Sequence, residues 1–376
     1  MKLFLKSESV YSGLRLRQIL NDLKRRPEDA AKELNINLKN FKKILNGKKI
    51  INEKLVKKIS SKYPIKISDL VNPYFDIGND YKIMHASESL RTKRIIKRGG
   101  KNYYEYRDTV MEKYAPYRPE WIRQLCYVKN NNPKDKSLKW NRGHLLHQFT
   151  YFIGEVNFYY IDKKNKKRVA IMNTGDSMYI GPYVPHTFAS RRLECKGYIV
   201  AVTYFDKIST EIQNELLNVG VKKSLGFLNS NNKIHKYNKV LITKYKNAKY
   251  KNFTKNNTSF RIKKLASTKL VPNAKSYEIA VTKNNRYNLS NSAHQYIYVL
   301  NGNKKILIGN KSFFVKSGDS IYIKPFTNFI LYSKDLKILS VQIEGKISGE
   351  VKLQLSQIGK QNLKRIIYDN LQWYKS

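Results

Sequence analysis

The chain lacks both the residues that staple small secreted proteins and those that anchor proteins in bilayers. Its two cysteines, Cys126 and Cys195, stand far apart among 376 residues, with no Cys-x-x-Cys or zinc-ribbon spacing. That excludes a disulfide framework or a thiolate zinc site and suits a reducing compartment, with both thiols as ordinary core or surface residues. No run of 18 or more apolar residues occurs, and the opening MKLFLKSESVYSG is too short and too polar for a secretory leader. The sequence therefore predicts a cytoplasmic protein with no membrane partner. Carboxylates are scarce as well: 28 acidic residues stand against 73 lysines and arginines, a formal net charge of +45. Nucleic acid or an anionic membrane would need that charge focused on one face, and an anionic small substrate would need it only in a pocket. Lysine is instead spread along nearly the whole chain beside abundant Asn, Ile and Tyr, as AT-rich codons would leave it. Charge alone assigns no function.

What is present can build cores. The length allows two or three domains, and 41% hydrophobic with 12% aromatic residues argues against global disorder. Residues 1–75 predict a helical domain. Leu14, Leu16, Ile19, Leu20 and Leu23 mark one amphipathic helix, Pro27 opens PEDAAKELNI with acids in its first turn, and LKNFKKILNGK closes on Gly47. This segment resembles the helix-turn-helix domain of small repressor-like regulators, which could place a basic helix in a major groove or serve as a structural or dimerising module. Residues 76–205 change to short strands, among them FTYFIG, VNFYYID, RVAIMN, SMYIG and GYIVAVTYF, the pattern of an antiparallel barrel or jelly roll. A second helical or linker region is expected over 206–275, with a helix at 206–224. Strands return in 276–376, which ends in the amphipathic segment VKLQLSQIGKQNLKRIIYDNLQWY.

The strand regions repeat each other. GDSMYIGPYVPHTF at 175–188 echoes GDSIYIKPFTNFI at 318–330, and HQFTYFIGEV from His147 echoes HQYIYVLNGN from His294. A duplicated sheet domain follows, with Asn291 in the place of His144 and Asn328 falling where the first copy has His186. The chemistry is expected in the first copy, with the second as scaffold.

Histidine is also rare, six in all, so placement is informative. His144 stands four residues before Gln148, and His186 follows a Gly-Asp-Ser turn and Pro182. A fully extended strand would hold residues 144 and 148 roughly 13 Å apart, so shared coordination requires a bend or bulge between them. The order Gly143-His144-x-x-x-Gln148, then Gly175-Asp176-Ser177, then Pro182-x-x-x-His186 resembles the two metal-binding motifs of the cupin superfamily. A helix-turn-helix domain followed by this cupin is similar, more narrowly, to the phosphonate-processing oxygenases, which include hydroxypropylphosphonate epoxidases, hydroxyethylphosphonate dioxygenases and methylphosphonate synthases.

The resemblance implies an α+β, mostly β fold: an N-terminal helix-turn-helix bundle and duplicated cupin (jelly-roll) domains, the second degenerate. It implies a mononuclear non-haem Fe(II) site held by His144, Gln148 and His186, with open positions for substrate and dioxygen. Gln148 replaces the commoner carboxylate, and Glu155 is a rival that the motif spacing disfavours. A His-Gln-His set resembles that of the methylphosphonate synthases, to which the resemblance narrows. A phosphonate carries close to two negative charges and needs cationic and hydroxyl donors. Arg98, Tyr104 and Tyr106 match the family's Arg-Tyr-Tyr set, and their even spacing would put all three on one strand face. Asn141 matches a phosphonate-contacting Asn. Lys24, at the end of the first helix, matches a lid lysine that some members take from a neighbouring subunit, which implies a homo-oligomer. Lys24 and Tyr104 are the candidates for catalysis, with Arg98, Tyr106 and Asn141 for substrate binding; without the resemblance, these residues read as solvated charges and barrel core. The implied reaction converts 2-hydroxyethylphosphonate to methylphosphonate and carbon dioxide, needing no organic cofactor and no nucleic acid. The alternatives are a dioxygenase giving hydroxymethylphosphonate and formate, and a helix-turn-helix/cupin transcription regulator.

Overall fold

In the computed structural model the described residues are 2–70, 80–113, 115–144, 146–194, 196–204, 218–220, 240–255, 258–266, 274–282, 287–289, 291–331 and 334–344. The chain divides into two compact units, residues 80–348 and residues 1–79 with 349–376. Apart from residues 218–220, the helix expected at 206–224 lies outside the described residues, as do Cys195 and the C-terminal amphipathic segment.

In the first unit, four helices run Lys2–Asp22, Pro27–Glu33, Leu38–Leu45 and Glu53–Lys62. Local chemistry sets their ends. Pro27 pre-forms the first turn of its helix behind Arg26, with Glu28 and Asp29 against the positive end of the helix dipole. The side chains of Asn37 and Asn52 cap the next two helices by accepting from the backbone N–H groups of Asn40 and Leu55 at 3.2 and 2.9 Å. Leu16, Leu20, Leu34, Phe41, Ile44 and Ile59 form the core. Among the described residues, no helix is long and apolar enough to cross a membrane.

The second unit is built of strands. One seven-stranded sheet has the order Val240–Thr243, Ser177–Ile180, His147–Ile153, Tyr198–Tyr204, Tyr117–Gln124, Lys101–Asp108 and Arg94–Arg98. The other has Tyr81–Met84, Ser320–Ile323, His294–Asn301, Lys337–Ile343, Ala274–Val281, Thr258–Lys264 and Tyr250–Lys255. Each is backed by a smaller sheet: Lys167–Met172, Val156–Ile161 and His186–Ser190 for the first, and four strands including Asn303–Ile308, Lys311–Lys316 and Phe329–Leu331 for the second. Phe152, Phe158, Met178 and Phe188 fill the first barrel, and Ile297, Ile306, Ile321 and Phe329 fill the second. The outer faces of the two large sheets pack together through Phe149, Tyr151 and Tyr179 against Tyr296, Tyr298 and Tyr322. Within that layer the buried Glu278 carboxylate accepts from the Tyr151 hydroxyl at 2.7 Å and from Tyr250.

The two barrels exchange edges. Strand Tyr81–Met84 precedes the first barrel in sequence yet pairs with Ser320–Ile323 of the second. Strand Val240–Thr243 follows the first barrel and completes its sheet beside Ser177–Ile180. Between residues 240 and 264, where a helical or linker region was expected, the chain forms three strands. The repeated Gly-Asp-Ser turns hold these crossings. Asp319 accepts from the Ala86 N–H at 2.8 Å and lies 3.0 Å from His85 Nδ1. Asp176 accepts from the Tyr245 N–H at 2.8 Å and pairs with Lys244 at 2.6 Å. The next residue repeats the pattern: Ser320 Oγ accepts from Val110 N–H at 2.8 Å, and Ser177 Oγ from Ala266 N–H at 3.0 Å.

The duplication also fixes which residues correspond. The Tyr183 N–H donates to the His144 carbonyl at 2.8 Å, and the Phe326 N–H donates likewise to the Asn291 carbonyl at 2.8 Å. Asn291 thus occupies the His144 position. His186 pairs with Tyr160 at the first position of its strand, as Phe329 pairs with Ile308 at the first position of its own. The counterpart of His186 is therefore Phe329; Asn328, expected there, is one residue off and matches Pro185.

Candidate metal centre

One loop and two strands build the site. The chain turns at Gly143 (φ 79°) before strand His147–Ile153 begins, so the required bend lies ahead of the strand. This turn brings His144 Nε2 within 3.1 Å of Gln148 Oε1. His186 starts the strand opposite, its ring 5.3 Å from that of His144, centroid to centroid, and nearly perpendicular at 87°. Gln148 and His186 are buried.

Hydrogen bonding sets the state of each donor. His144 Nδ1 lies 2.8 Å from the Leu146 carbonyl and His186 Nδ1 lies 2.8 Å from the Val184 carbonyl. A carbonyl only accepts, so both Nδ1 atoms carry hydrogen, which leaves Nε2 as the nitrogen of each ring that could bind a metal. Burial pushes the His186 pKa down to about 3, so its imidazole is neutral in ordinary buffers. The Gln148 amide nitrogen donates to Thr150 Oγ1 at 2.8 Å, which turns the amide oxygen toward His144. His144 Nε2 and Gln148 Oε1 stand 3.1 Å apart. Neighbouring ligands at about 2.1 Å from an octahedral ion stand about 3 Å apart, so the spacing fits a metal. Among the described residues no group of three His, Cys, Asp or Glu side chains could hold one. Gln148 is the side chain that stands beside the two histidines, with its amide oxygen toward His144. Glu155, the carboxylate rival, is taken by Arg191 and Arg192.

The surrounding residues converge on the same place, with one correction. Arg98 does not share a strand with the two tyrosines: strands Arg94–Arg98 and Lys101–Asp108 form a hairpin turned at Gly99 and Gly100, both at positive φ. The hairpin still assembles the set. The Arg98 guanidinium stacks over the Tyr104 ring at 4.9 Å, donates to the Lys139 carbonyl at 3.1 Å, and its charge adds to the lowering of the His186 pKa. The Tyr104 hydroxyl is engaged, accepting from the Phe188 N–H at 3.0 Å and lying 3.1 Å from Thr187 Oγ1. Burial raises the phenol pKa of both Tyr104 and Tyr106, so both remain neutral. Asn141 ties the loops together: its Oδ1 accepts from the N–H groups of His186 and Gly143 at 2.8 and 3.0 Å, and its Nδ2 lies 3.1 Å from His186 Nε2. Lys24 belongs to the helical unit, where it is exposed at the end of helix Lys2–Asp22 with φ 57°.

No protein-family model matches the chain. A methylphosphonate synthase of Nitrosopumilus maritimus (strain SCM1) is 37% identical to it, over 97% of this chain and 96% of that protein. The chain belongs to the methylphosphonate synthase family. It is accordingly an enzyme, and its mostly β, duplicated architecture is that of the family's relatives. The Streptomyces albus hydroxyethylphosphonate dioxygenase, solved with 2-hydroxyethylphosphonate and Fe(II) bound, superimposes with a TM-score of 0.83 at 26% identity, over 98% of this chain and 99% of that one. The (S)-2-hydroxypropylphosphonic acid epoxidase of Streptomyces wedmorensis is 32% identical over 27% of this chain and 50% of its own length.

The sequence reading missed Thr150 and the pair formed by His147 Nδ1 and the Tyr179 hydroxyl at 2.7 Å. The second was legible as a repeat, because His294 and Tyr322 form the same pair at 2.8 Å in the copy without the His144 and His186 equivalents. It belongs to the scaffold.

Proposed function

We propose that this enzyme converts 2-hydroxyethylphosphonate and dioxygen to methylphosphonate, carbon dioxide and water at an Fe(II) ion held by His144, Gln148 and His186. The observation that supports the reading is the convergence of His144 Nε2 and Gln148 Oε1, 3.1 Å apart, beside the His186 ring, 5.3 Å from that of His144. Bound Fe(II) supplies a redox centre at which dioxygen takes four electrons, all from the substrate, and an anchor for substrate oxygens. The carbinol carbon leaves as carbon dioxide, and the carbon bearing phosphorus gains a hydrogen.

The protein's part is binding and orientation. Arg98, held by Tyr104 and the Lys139 carbonyl, presents a fixed guanidinium to the phosphonate dianion. Tyr106 adds a neutral hydroxyl donor. Asn141 Nδ2, which faces His186 Nε2, is released to donate to a phosphonate oxygen once that nitrogen holds metal. Tyr104 fixes the His186 strand through the Phe188 N–H and orients Arg98. Lys24 is proposed as a cationic lid over the phosphonate, from its own subunit or from a neighbour in a homo-oligomer.

A second reading stays within the same chemistry. The likeness to the Streptomyces albus dioxygenase favours release of hydroxymethylphosphonate and formate. Anaerobic loading with Fe(II), exposure to air with 2-hydroxyethylphosphonate, and phosphorus NMR with mass spectrometry of the products separates the two. Methylphosphonate is expected; hydroxymethylphosphonate as the main product would overturn the choice. Unchanged Fe(II) affinity in both Gln148→Ala and His186→Ala would remove the triad.

A further inference from the structure

An amide differs from a carboxylate as a ligand in one decisive way. Either oxygen of a Glu side chain can bind a metal, whereas a Gln side chain turned by 180° presents its NH2 group and cannot. A centre whose third ligand is Gln148 therefore needs something to select the amide's face. His144 cannot do it alone: without metal, its Nε2 lone pair would prefer the NH2 face.

Among the described residues, Thr150 is the one that accepts from the Gln148 amide nitrogen and so opposes that preference. It lies two residues along strand His147–Ile153, on the barrel-facing side, is fully buried, and its Oγ1 accepts from Gln148 Nε2 at 2.8 Å. Its neighbours across the sheet are Ala201 and Met178, and the next residue on that face is Phe152. A hydroxyl set among apolar side chains is unfavourable unless it is used. The second copy supplies an internal control. It keeps the glutamine, as Gln295 on the equivalent strand, but has Asn291 and Phe329 in the histidine positions. There the residue two along is Ile297, packed in the core, and Gln295 Oε1 accepts from Gln342 Nε2 at 3.4 Å. Where the histidines are gone, the hydroxyl is gone too.

We infer that Thr150 is a positioning residue that locks the Gln148 amide with its oxygen toward the metal. The inference rests on the proposed His144, Gln148 and His186 site. Anaerobic titration with Co(II), followed by its visible absorption bands and by calorimetry, tests it. Thr150→Val removes the hydroxyl at nearly constant volume and should weaken Co(II) binding about 10- to 100-fold and alter the bands. Thr150→Ser should restore both, even if the valine variant melts earlier. In a Gln148→Glu background, where no wrong face exists, Thr150→Val should change affinity less than about threefold. Affinity unchanged by Thr150→Val, or an equal loss in both backgrounds, would overturn the inference while leaving the metal site standing. Co(II) affinity unchanged by His144→Ala would overturn the site reading and this inference with it.

Discussion

Gly143 offers a measurement in which strain and steric conflict can be separated. It adopts φ 79°, and a Cβ there would meet the Tyr183 backbone carbon, Cα and oxygen at 2.5, 2.7 and 2.9 Å. Gly100, at φ 77°, has nothing within 4 Å of the same position. Left-handed backbone costs a residue with a Cβ about 1–2 kcal/mol, which both Gly143→Ala and Gly100→Ala incur. Only Gly143→Ala must also push backbone aside, for about 1–3 kcal/mol more. A difference near 2 kcal/mol corresponds to a melting-temperature gap of about 4–8 °C for a unit of this size. The displaced backbone includes Tyr183, whose N–H holds the His144 carbonyl at 2.8 Å, so Fe(II) affinity should fall as well. Differential scanning calorimetry of both variants, with anaerobic Fe(II) titration, provides the readouts. The reasoning fails if the two variants melt within about 2 °C of each other and bind Fe(II) equally.

Metal content should be near one ion per chain by elemental analysis, because Asn291 and Phe329 replace two of the three ligands in the second copy; a value near two would contradict that assignment. Burial depresses the His294 pKa to about 4, so its neutral form is favoured in the fold. The stability this contributes is full above the unfolded value of about 6.5 and is lost as pH falls toward 4, at up to about 1.4 kcal/mol per pH unit. Urea unfolding across that range should show a shallower acid limb in His294→Phe. Asp319 is fully buried, so Asp319→Ala should cost about 2–3 kcal/mol of stability with Fe(II) affinity unchanged, measured by urea unfolding and metal titration.

The strands of the first barrel were legible because alternating aromatic and β-branched residues between Gly and Asn-Lys turns leave few other options: FTYFIG, VNFYYID and SMYIG fall on His147–Ile153, Val156–Ile161 and Ser177–Ile180. The edge exchange was not. Residues 81–84 carry the same pattern whichever sheet they join, and pairing partners leave no local trace. Even spacing points to one strand for Arg98 and the two tyrosines, but the Gly99-Gly100 turn between them folds the segment into a hairpin. The Phe329 correspondence slipped by one because the proline of Pro185-His186 has no equivalent in the second copy. Thr150 escaped because threonine is an ordinary strand former; its spacing from Gln148 and its replacement by Ile297 were the available signals.

The exchanged edges also constrain how the chain is made. Ala86 must wait for a carboxylate 233 positions downstream, at Asp319, and Val110 for a hydroxyl 210 positions away, at Ser320. During synthesis the strand Tyr81–Met84 emerges long before its partner exists, and Ser177–Ile180 keeps an unpaired edge until residue 240 has been added. Contacts of such separation slow folding and leave sheet edges open to other chains. Expression of either barrel alone should therefore give aggregates, because each leaves sheet edges and buried polar groups that the other satisfies.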